Sequence, residues 1–329
     1  MLNPDLKLNP KLFDPDVEVK PTRHGYGDGL VALGEKNPNV VALTADLAES
    51  TQAHKFAEKF PDRFFECGVA EQNMAAIAAG LGVSGKIPFV SSYATFSPGK
   101  NWETIRTTII YNNSNVKLAG HHAGIMTGAD GSTHQATEDI AITRSWPGIK
   151  VLVPCDSIEA KKATISAASI AGPIYLRFTR DKTPIMTTHE TPFEIGKIQT
   201  FWVTKNPIVT IFVTGYMLYY ALLAAKELDL EGIQVLIANV PTIKPLDEKA
   251  LLTLAKNTKA FVSVEDHQVM GGLGGAIAEF TVKNIPIPME FIGLQDTFAE
   301  SGSPKELIEK YGMGKDSIKQ AVKKVIARK

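Results

Sequence analysis

Short apolar runs alternate with helix-period segments along this chain of 329 residues, and this alternation constrains the fold most. The apolar runs predict strands at 39–44, 63–67, 87–92, 115–120, 149–153 and 173–178. Two segments between them place apolar residues on one helix face: 70–81 (Ala70, Met74, Ile77, Leu81) and 101–111 (Trp102, Ile105, Ile109). Buried strands that alternate with amphipathic helices are typical of a mostly parallel sheet with helices on both faces. The pattern therefore predicts an α/β fold.

A stretch with three prolines, residues 181–207, interrupts this rhythm, and a second set of strands and helices follows it. Three X-Pro pairs lie in residues 1–20, and a residue before proline disfavours the helical region. We therefore predict an extended N-terminal arm (1–20), a first α/β domain (21–185), a linker (186–207) and a second α/β domain (208–329). Each domain is expected to hold a mostly parallel sheet flanked by helices.

The composition excludes several classes of partner. Hydrophobic residues make up 44% of the chain, enough for a large core, and basic and acidic residues both number 35. This balance argues against nucleic acid or an anionic membrane as the main partner. The chain has no apolar run long enough to span a membrane, and its start lacks the apolar region of a signal peptide. We expect a cytoplasmic protein.

The segment 63–78, RFFECGVAEQNMAAIA, is the strongest candidate for chemistry. A strand ends near Cys67, a glycine turns the chain, and a helix begins near Ala70. Glu71 then lies in the first helical turn, at the edge where open α/β sheets bind ligands. It is either a functional carboxylate or an acid that complements the helix dipole, and the residues by themselves leave both interpretations open.

Two further segments also follow predicted strands: SSYATFSPGKNW (91–102) and GHHAGIMTGADGSTHQ (120–135). Their candidate residues are Tyr93, Phe96, His121, His122, Asp130 and His134. The two aromatic residues could equally be core residues. Three histidines and an aspartate suggest a metal, yet this glycine-rich loop lacks compact ligand spacing, so we predict no metal site in this chain.

The segment GVAEQNM (68–74) resembles the glutamate-containing segment of the pyrimidine-binding domain of transketolases and 1-deoxy-xylulose-5-phosphate synthases. The resemblance continues through 84–110 and 119–140, resumes at 149–156 and 175–184, and spans the second domain. The N-terminal, diphosphate-binding half of these enzymes has no counterpart here. The chain is therefore similar to the C-terminal subunit of a split transketolase.

This resemblance implies thiamine diphosphate as the cofactor. Glu71 would hydrogen-bond the aminopyrimidine ring nitrogen, and the cofactor would supply the reactive carbon. Tyr93 and Phe96 would pack on the ring, with weaker apolar contacts from Leu47 and Val69. The segment after Phe96 is one residue longer than in common transketolases, so the exact stacking partner stays open.

The resemblance also implies a channel for sugar phosphates. Asp130 and His134 would meet donor hydroxyls, and His134 would share the catalytic role with Glu71. Four positions match phosphate contacts of transketolases: Arg23, Ser50, His122 and Arg180. Arginine suits phosphate because its planar fork donates two parallel hydrogen bonds. His121 has no counterpart that we can assign.

The tripeptide Gly27-Asp28-Gly29 matches the start of the motif that holds magnesium and diphosphate in thiamine enzymes. However, the polar PTRHGY precedes it where an apolar strand is required, and residues 50–60 lack the second ligand, an asparagine. Tyr26, Leu30 and Leu33 instead recur at helical spacing. We predict a helix here. The resemblance to a split transketolase then implies that the magnesium ligands lie on a partner, the N-terminal transketolase subunit, in an α2β2 assembly.

Three alternatives remain beside a transketolase subunit that moves a two-carbon ketol unit from a ketose phosphate to an aldose phosphate. They are a 1-deoxy-xylulose-5-phosphate synthase-like subunit, the E1 β subunit of a 2-oxoacid dehydrogenase, and a non-catalytic regulatory partner. His122 favours transketolase, because the synthases tend to carry an arginine in this loop. The presence of Glu71, Asp130 and His134 argues against a non-catalytic role.

The glycine-rich segment GGLGGAIAEF (271–280) resembles a dinucleotide fingerprint but lacks its last glycine, at position 277. We predict a glycine-rich loop that opens a helix.

Overall fold

The computed structural model describes all residues from Met1 to Lys329. Its strands are β1 (Val19–Lys20), β2 (Val40–Thr44), β3 (Phe64–Glu66), β4 (Ile87–Tyr93), β5 (Lys117–His121), β6 (Lys150–Leu152), β7 (Ile174–Arg177), β8 (Thr183–Pro184), β9 (Gln199–Trp202), β10 (Val209–Val213), β11 (Val235–Asn239), β12 (Thr242–Lys244), β13 (Phe261–Gln268) and β14 (Met289–Leu294).

The α-helices are α1 (Thr22–Lys36), α2 (Ala48–Thr51), α3 (His54–Lys59), α4 (Glu71–Val83), α5 (Trp102–Thr104), α6 (Asp139–Ser145), α7 (Ser157–Ala168), α8 (Leu218–Leu230), α9 (Glu248–Thr258), α10 (Leu273–Asn284), α11 (Pro304–Lys310) and α12 (Lys315–Ala327). No helix is both long enough and apolar enough to cross a membrane.

Two large sheets organise the chain. The first has seven strands in the order β12-β6-β7-β5-β4-β2-β3, and all its pairs are parallel except β12 with β6. The second has five strands in the order β14-β13-β10-β11-β9, and only β9 is antiparallel. Every residue of β2, β5 and β10 is buried, as expected for strands with helices on both faces. The predicted α/β class with mostly parallel sheets is confirmed.

The segment between the sheets takes part in both halves of the molecule. Strand β8 pairs with β1, and β9, which lies within the segment 186–207 expected to be a linker, forms an edge of the second sheet. In return β12, from beyond residue 208, forms the edge of the first sheet. We keep the division of the chain at 186–207 as a proposal about domains.

The N-terminal arm is held on the second sheet rather than free. Asn3 Nδ2 donates to the Thr200 carbonyl at 2.8 Å, and Leu12 is fully buried in the core beneath helix α8. Residues Pro4–Leu6 form one 3-10 turn where an extended chain was expected.

Helix α1 contains Gly27-Asp28-Gly29, and the helix predicted there is confirmed. Its Tyr26 and Leu30 are fully buried in the core that covers one face of the first sheet. The Asp28 carboxylate pairs with Lys20 at 3.1 Å and with Lys55 at 2.8 Å. These ammonium groups lower the pKa of Asp28 although its partial burial opposes the shift. The aspartate therefore serves as an ion-pair partner on the surface of a helix.

Two predicted helix faces were partly wrong. In α4 Met74 is fully buried, but Ile77 is 38% exposed, and Ala70 and Leu81 are half-buried. The predicted helix 101–111 is α5 continued by a π-helical segment (Ile105–Ile110), in which Ile105 and Ile109 are buried while Trp102 is 41% exposed. Both helices carry apolar residues on more than one face, so this chain buries one face and leaves the other uncovered.

Candidate active site

Most of the candidate residues collect at one edge of the first sheet. Strands β7, β5, β4, β2 and β3 stand side by side and run parallel, so their carboxyl ends meet at that edge. Ten candidate residues lie at the ends of these five strands or in the segments that follow them: Leu47, Ser50, Val69, Glu71, Tyr93, Phe96, His122, Asp130, His134 and Arg180. This edge is where open α/β sheets bind ligands.

Glu71 begins α4 directly after the turn at Gly68 and is almost completely buried, with a side chain 3% exposed. Its Oε2 accepts a hydrogen bond from Lys100 Nζ at 2.7 Å. Its backbone carbonyl accepts one from Asn101 Nδ2 at 3.0 Å, and the same amide donates to Ser97 Oγ at 3.3 Å. The segment after β4 therefore fixes both the carboxylate and the first turn of its helix.

An aromatic cluster lies at the ends of β4 and β5. The ring of Tyr93 stacks on His122, with centroids 3.8 Å apart and planes inclined by 21°. Phe96 stacks on Tyr93 at 5.7 Å, and the His134 ring meets Phe96 edge-on at 5.6 Å. Phe96 shares the segment Thr95–Lys100 with the lysine that holds Glu71. The cluster thus connects the carboxylate to the histidines.

Three hydrogen bonds hold Arg23, Ser50 and Arg180, three of the four expected phosphate contacts. Arg23 Nη1 donates to the Ser50 carbonyl at 2.8 Å, and the Tyr93 hydroxyl donates to Ser50 Oγ at 3.1 Å. Arg180 Nη1 donates to the Thr127 carbonyl at 2.8 Å. Arg23 and Arg180 line one open cavity of about 490 Å³. Two guanidinium groups on one cavity make it suitable for an anion.

The helix N-terminus brings Arg23 to this edge. The Thr179 N–H donates to Thr22 Oγ1 at 2.7 Å, and the two threonine hydroxyls lie 2.9 Å apart. The residue after each threonine is one of the two arginines. The pair of buried threonines therefore sets the spacing between the guanidinium groups.

The electrostatics of His122 differ strongly from those of a free imidazole. Burial, followed by the positive charges of Arg23 and Arg180 and by His134, lowers its pKa to about 3. The imidazole is therefore neutral near pH 7 and can donate only one hydrogen bond to an anion. Its backbone is in the left-handed region, at φ 53°, which is rare for a residue other than glycine.

Asp130 and His134 both lie in the segment that follows His122. The Asp130 carboxylate lies 3.6 Å from Arg180 Nη2, and both side chains are about one-third exposed (33% and 38%). His134 Nδ1 is 2.9 Å from Thr133 Oγ1. Asp130 is thus exposed beside Arg180, one of the arginines that line the cavity, and His134 is half-buried.

Leu47 and Val69 follow the adjacent strands β2 and β3. Leu47 is half-buried at the start of α2, whereas Val69 is 70% exposed. Phe65, Ile77, Val83 and Trp102, which lie in or near β3, α4 and α5, are further large apolar residues that are exposed.

Sequence reasoning missed Lys100 and Thr127. Lys100 lies in a segment that the sequence had already singled out, but nothing local indicates that its ammonium group reaches Glu71. Thr127 Oγ1 donates to the His122 carbonyl at 2.5 Å while its own carbonyl accepts from Arg180. His121, left unassigned, is fully buried between Tyr26 and Phe178. No group of three or more His, Cys, Asp or Glu side chains is placed to hold a metal ion.

The glycine-rich segment at 271–280 opens helix α10, as predicted. The buried Glu265 carboxylate accepts the N–H groups of Leu273 and Gly274 at 2.7 and 2.9 Å. The helix N-terminus that would hold a dinucleotide phosphate is therefore occupied by the protein itself.

Fold and geometry together define a two-domain α/β protein with a candidate ligand site at the carboxyl edge of its first sheet. Residues 19–186 match the family model of the transketolase pyrimidine-binding domain, and residues 201–318 match that of the transketolase C-terminal domain. The chain belongs to the transketolase family.

Three relatives show which part of the family it resembles. A putative transketolase C-terminal section of Methanocaldococcus jannaschii is 43% identical over 92% of this chain and 95% of that protein. A 6-deoxy-6-sulfo-D-fructose transketolase subunit of a Clostridium species is 37% identical over 96% and 98%. A solved structure described as a split gene transketolase, inactive β4 tetramer, is 42% identical, with a TM-score of 0.87 over 93% of this chain and 98% of that one.

Enzymes of this family depend on thiamine diphosphate, and the residues present fit one side of that cofactor. A buried carboxylate and a flat aromatic cluster suit the aminopyrimidine ring. The only Gly-Asp-Gly tripeptide lies within α1, where its aspartate is already paired with two lysines, so it does not fit magnesium and diphosphate.

Proposed function

We infer that this chain is the C-terminal subunit of a thiamine-diphosphate-dependent transketolase. With an N-terminal subunit it would transfer a two-carbon ketol unit from a ketose phosphate to an aldose phosphate. One observation carries this proposal: the sheet edge that holds the buried Glu71 carboxylate also holds two arginines on a single open cavity. A transferase for sugar phosphates needs a cofactor contact and an anion contact on one channel.

The residues of this chain would divide the work along the channel. Glu71 would hold a proton at the ring nitrogen of the cofactor, with Tyr93 and Phe96 against the ring and Leu47 and Val69 at its side. Thiamine diphosphate, when bound, supplies the carbon nucleophile that breaks and remakes the C–C bond of the ketose. Lys100, paired with the other carboxylate oxygen, would keep Glu71 in one orientation.

At the opposite end of the channel the protein would position the sugars. Asp130 and His134 would meet hydroxyl groups near the reacting carbon, and His134 would move protons there. Arg23, Ser50, His122 and Arg180 would bind the terminal phosphate. His122 is neutral, so the two guanidinium groups would supply the charge that recognises the anion.

The exposed apolar surface around Glu71 supports a need for a second chain. Ile77 and Val83 of α4, Val69 before it and Trp102 beyond it in the chain are large apolar side chains exposed to solvent. We propose that the N-terminal subunit covers this surface and brings the magnesium ligands and the diphosphate site. Pairs of both subunits would then assemble as α2β2. A need for the second subunit agrees with the similar split-gene transketolase, whose structure is described as an inactive β4 tetramer.

The test is reconstitution. The tagged chain would be purified from its native cell, and the co-purifying chain identified, expressed and recombined with it. Ketol transfer from a ketose phosphate to an aldose phosphate would be assayed for the two chains, separately and together. We expect activity only from the mixture, with added thiamine diphosphate and magnesium. Activity of this chain by itself would refute the need for a partner subunit. A mixture that binds the cofactor but transfers no ketol unit would refute the proposed reaction.

The resemblance to a sulfofructose transketolase subunit favours one second candidate. A terminal sulfonate is also an anion with three acceptor oxygens, and it could occupy the same pair of arginines. The assay should therefore include 6-deoxy-6-sulfofructose as donor. A higher kcat/KM for the sulfonate than for a ketose phosphate would assign this chain to that substrate.

A further inference from the structure

The loop that carries His122 and Asp130 is held by a buried carboxylate from the second domain. Asp266 lies near the end of β13 and is only 2% exposed. Its Oδ1 accepts a hydrogen bond from the Ile125 N–H at 3.0 Å, and its Oδ2 accepts a longer one, at 3.5 Å, from the Met126 N–H. The Tyr216 hydroxyl donates to the same Oδ2 at 2.9 Å.

The backbone of this loop fits the carboxylate closely. Gly124 has φ 75°, and a Cβ atom added there would lie 1.9 Å from Asp266 Oδ2. Only glycine allows this approach. Two residues earlier His122 itself has φ 53°, a conformation that persists only when surrounding contacts hold it. The Asp266 carboxylate supplies such contacts next to the strained residue.

The held segment leads directly to the anion site. Thr127 follows Met126, and its hydroxyl donates to the His122 carbonyl while its own carbonyl accepts from Arg180 at 2.8 Å. A shift of the 125–126 backbone therefore moves the contacts of both His122 and Arg180. A further tie runs from Gln135 Nε2 to the Glu300 carbonyl at 3.1 Å, again between the loop and the second domain.

A carboxylate this deep is costly unless its acceptor sites are filled and a positive charge is near. Arg177 of the first domain supplies that charge. Its Nη2 donates to the Asp266 carbonyl at 2.8 Å, and its Nε donates to Asp139 Oδ2 at 2.8 Å. The polar contact between the domains is thus continuous from β7 to the loop.

We propose that Asp266 is a positioning residue for the anion end of the substrate channel, so that the second domain sets the geometry of a site built on the first. Asp266 acts through the amides of Ile125 and Met126 and has no contact with substrate. The identity of that substrate rests on the proposed function, whereas the tie between carboxylate and loop does not.

The first measurement is amide hydrogen–deuterium exchange on the intact chain carrying Asp266→Asn. This variant keeps the shape of the side chain but turns one acceptor into a donor that faces an N–H. Exchange of residues 123–128 should rise about ten-fold or more, as expected when a hydrogen bond to a charged group is lost.

The matched control is Glu265→Gln. Glu265 is the neighbouring carboxylate, is equally buried, and also accepts two backbone N–H groups, but those belong to α10 of its own domain. This variant should raise exchange at 273–276 and leave 123–128 unchanged. If both variants raise exchange equally in both segments, the effect is a general loss of stability and the proposal is overturned.

The second measurement is steady-state kinetics of the complex with its partner subunit. Asp266→Asn should raise KM for a phosphorylated acceptor about ten-fold with a smaller fall in kcat, because the Glu71 end is untouched. Glu265→Gln should not raise KM more than it lowers kcat. Faster loop exchange without a rise in KM would remove the functional role of Asp266. If the wild-type complex transfers no ketol unit, the proposed function fails while the exchange result still stands.

Should Asp266→Asn fail to fold, Tyr216→Phe takes its place. It removes one donor to Oδ2 and leaves the carboxylate and both amides in position. A smaller increase of exchange in the same segment is expected, and unchanged exchange would count against the proposal.

Discussion

Replacing Arg180 by alanine separates a phosphate-binding role from a structural one. Arg180 contacts the Thr127 carbonyl at 2.8 Å and the Asp130 carboxylate at 3.6 Å, and it lines an open cavity together with Arg23. The ion pair with Asp130 and a contact with phosphate in the cavity would contribute different amounts to the rate. An assay with a phosphorylated and an unphosphorylated acceptor can distinguish these two contributions.

The contact with Asp130 is worth little, because both side chains are about one-third exposed. An exposed ion pair contributes at most about 1 kcal/mol, which corresponds to about a five-fold change in rate. A hydrogen bond to a charged phosphate is worth about 1.5–3 kcal/mol. Arg180→Ala should therefore lower kcat/KM for a phosphorylated acceptor about ten- to a hundred-fold, and for glycolaldehyde no more than about five-fold.

The assay uses the reconstituted complex with a saturating, unphosphorylated 2-keto donor, so that only the acceptor can use the anion site. The loss for the phosphorylated acceptor should appear first in KM, because the contact is remote from the bond that forms. Lys182→Ala is the control, since Lys182 is an exposed cation two residues away. Equal losses for both acceptors in Arg180→Ala would mean that Arg180 supports the fold or the cofactor. No loss for either would leave it a surface charge.

Three further results are expected. Glu71→Gln should abolish ketol transfer by the complex but spare assembly, which size-exclusion chromatography measures. If the reactive carbon of the bound cofactor still exchanged hydrogen for deuterium at the wild-type rate, Glu71 would not act on the ring nitrogen of the cofactor. Asp28→Asn should keep activity within a few-fold and leave magnesium-dependent cofactor binding intact, because Asp28 is an ion-pair partner of Lys20 and Lys55; loss of that binding would contradict the assignment. The pKa of His122 is about 3 in the folded chain and near 6.5 when unfolded, so the unfolded chain binds a proton that the folded chain does not, and stability should fall as pH drops from 6.5 toward 3. His122→Asn should reduce that fall in denaturant titrations, and an unchanged slope would contradict it.

Local pattern was sufficient to place most of the elements of this fold. The apolar run 87–92 became β4 at Ile87–Tyr93, and the predicted start of a helix near Ala70 became α4 at Glu71. Strands buried on both faces are continuous in apolar residues, and each of these signals lies within a few residues of chain. The same local evidence put Gly27-Asp28-Gly29 in a helix, because Tyr26 and Leu30 form an apolar stripe around it.

Local pattern did not decide which apolar face is buried inside this chain. Ile77 and Trp102 lie at helical spacing with buried residues, yet both are exposed. A helix face that packs on its own sheet has the same periodicity as one that this chain leaves uncovered. Periodicity indicates only that a face is apolar and favours burial away from water. The choice depends on what lies opposite in three dimensions, and here we expect another chain to lie there.

The sequence by itself determined the α/β class and the place of most strands and helices along the chain, and its family resemblance singled out the residues proposed to meet a cofactor and an anion. Only the tertiary structure placed Lys100 on Glu71, β12 in the first sheet, and Asp266 against Ile125 across 141 residues of chain. These contacts leave no local trace, because a lysine, a short edge strand or a buried aspartate can satisfy its polar groups with many partners. Its actual partner depends on how the two sheets pack together, a property that no single stretch of the sequence contains.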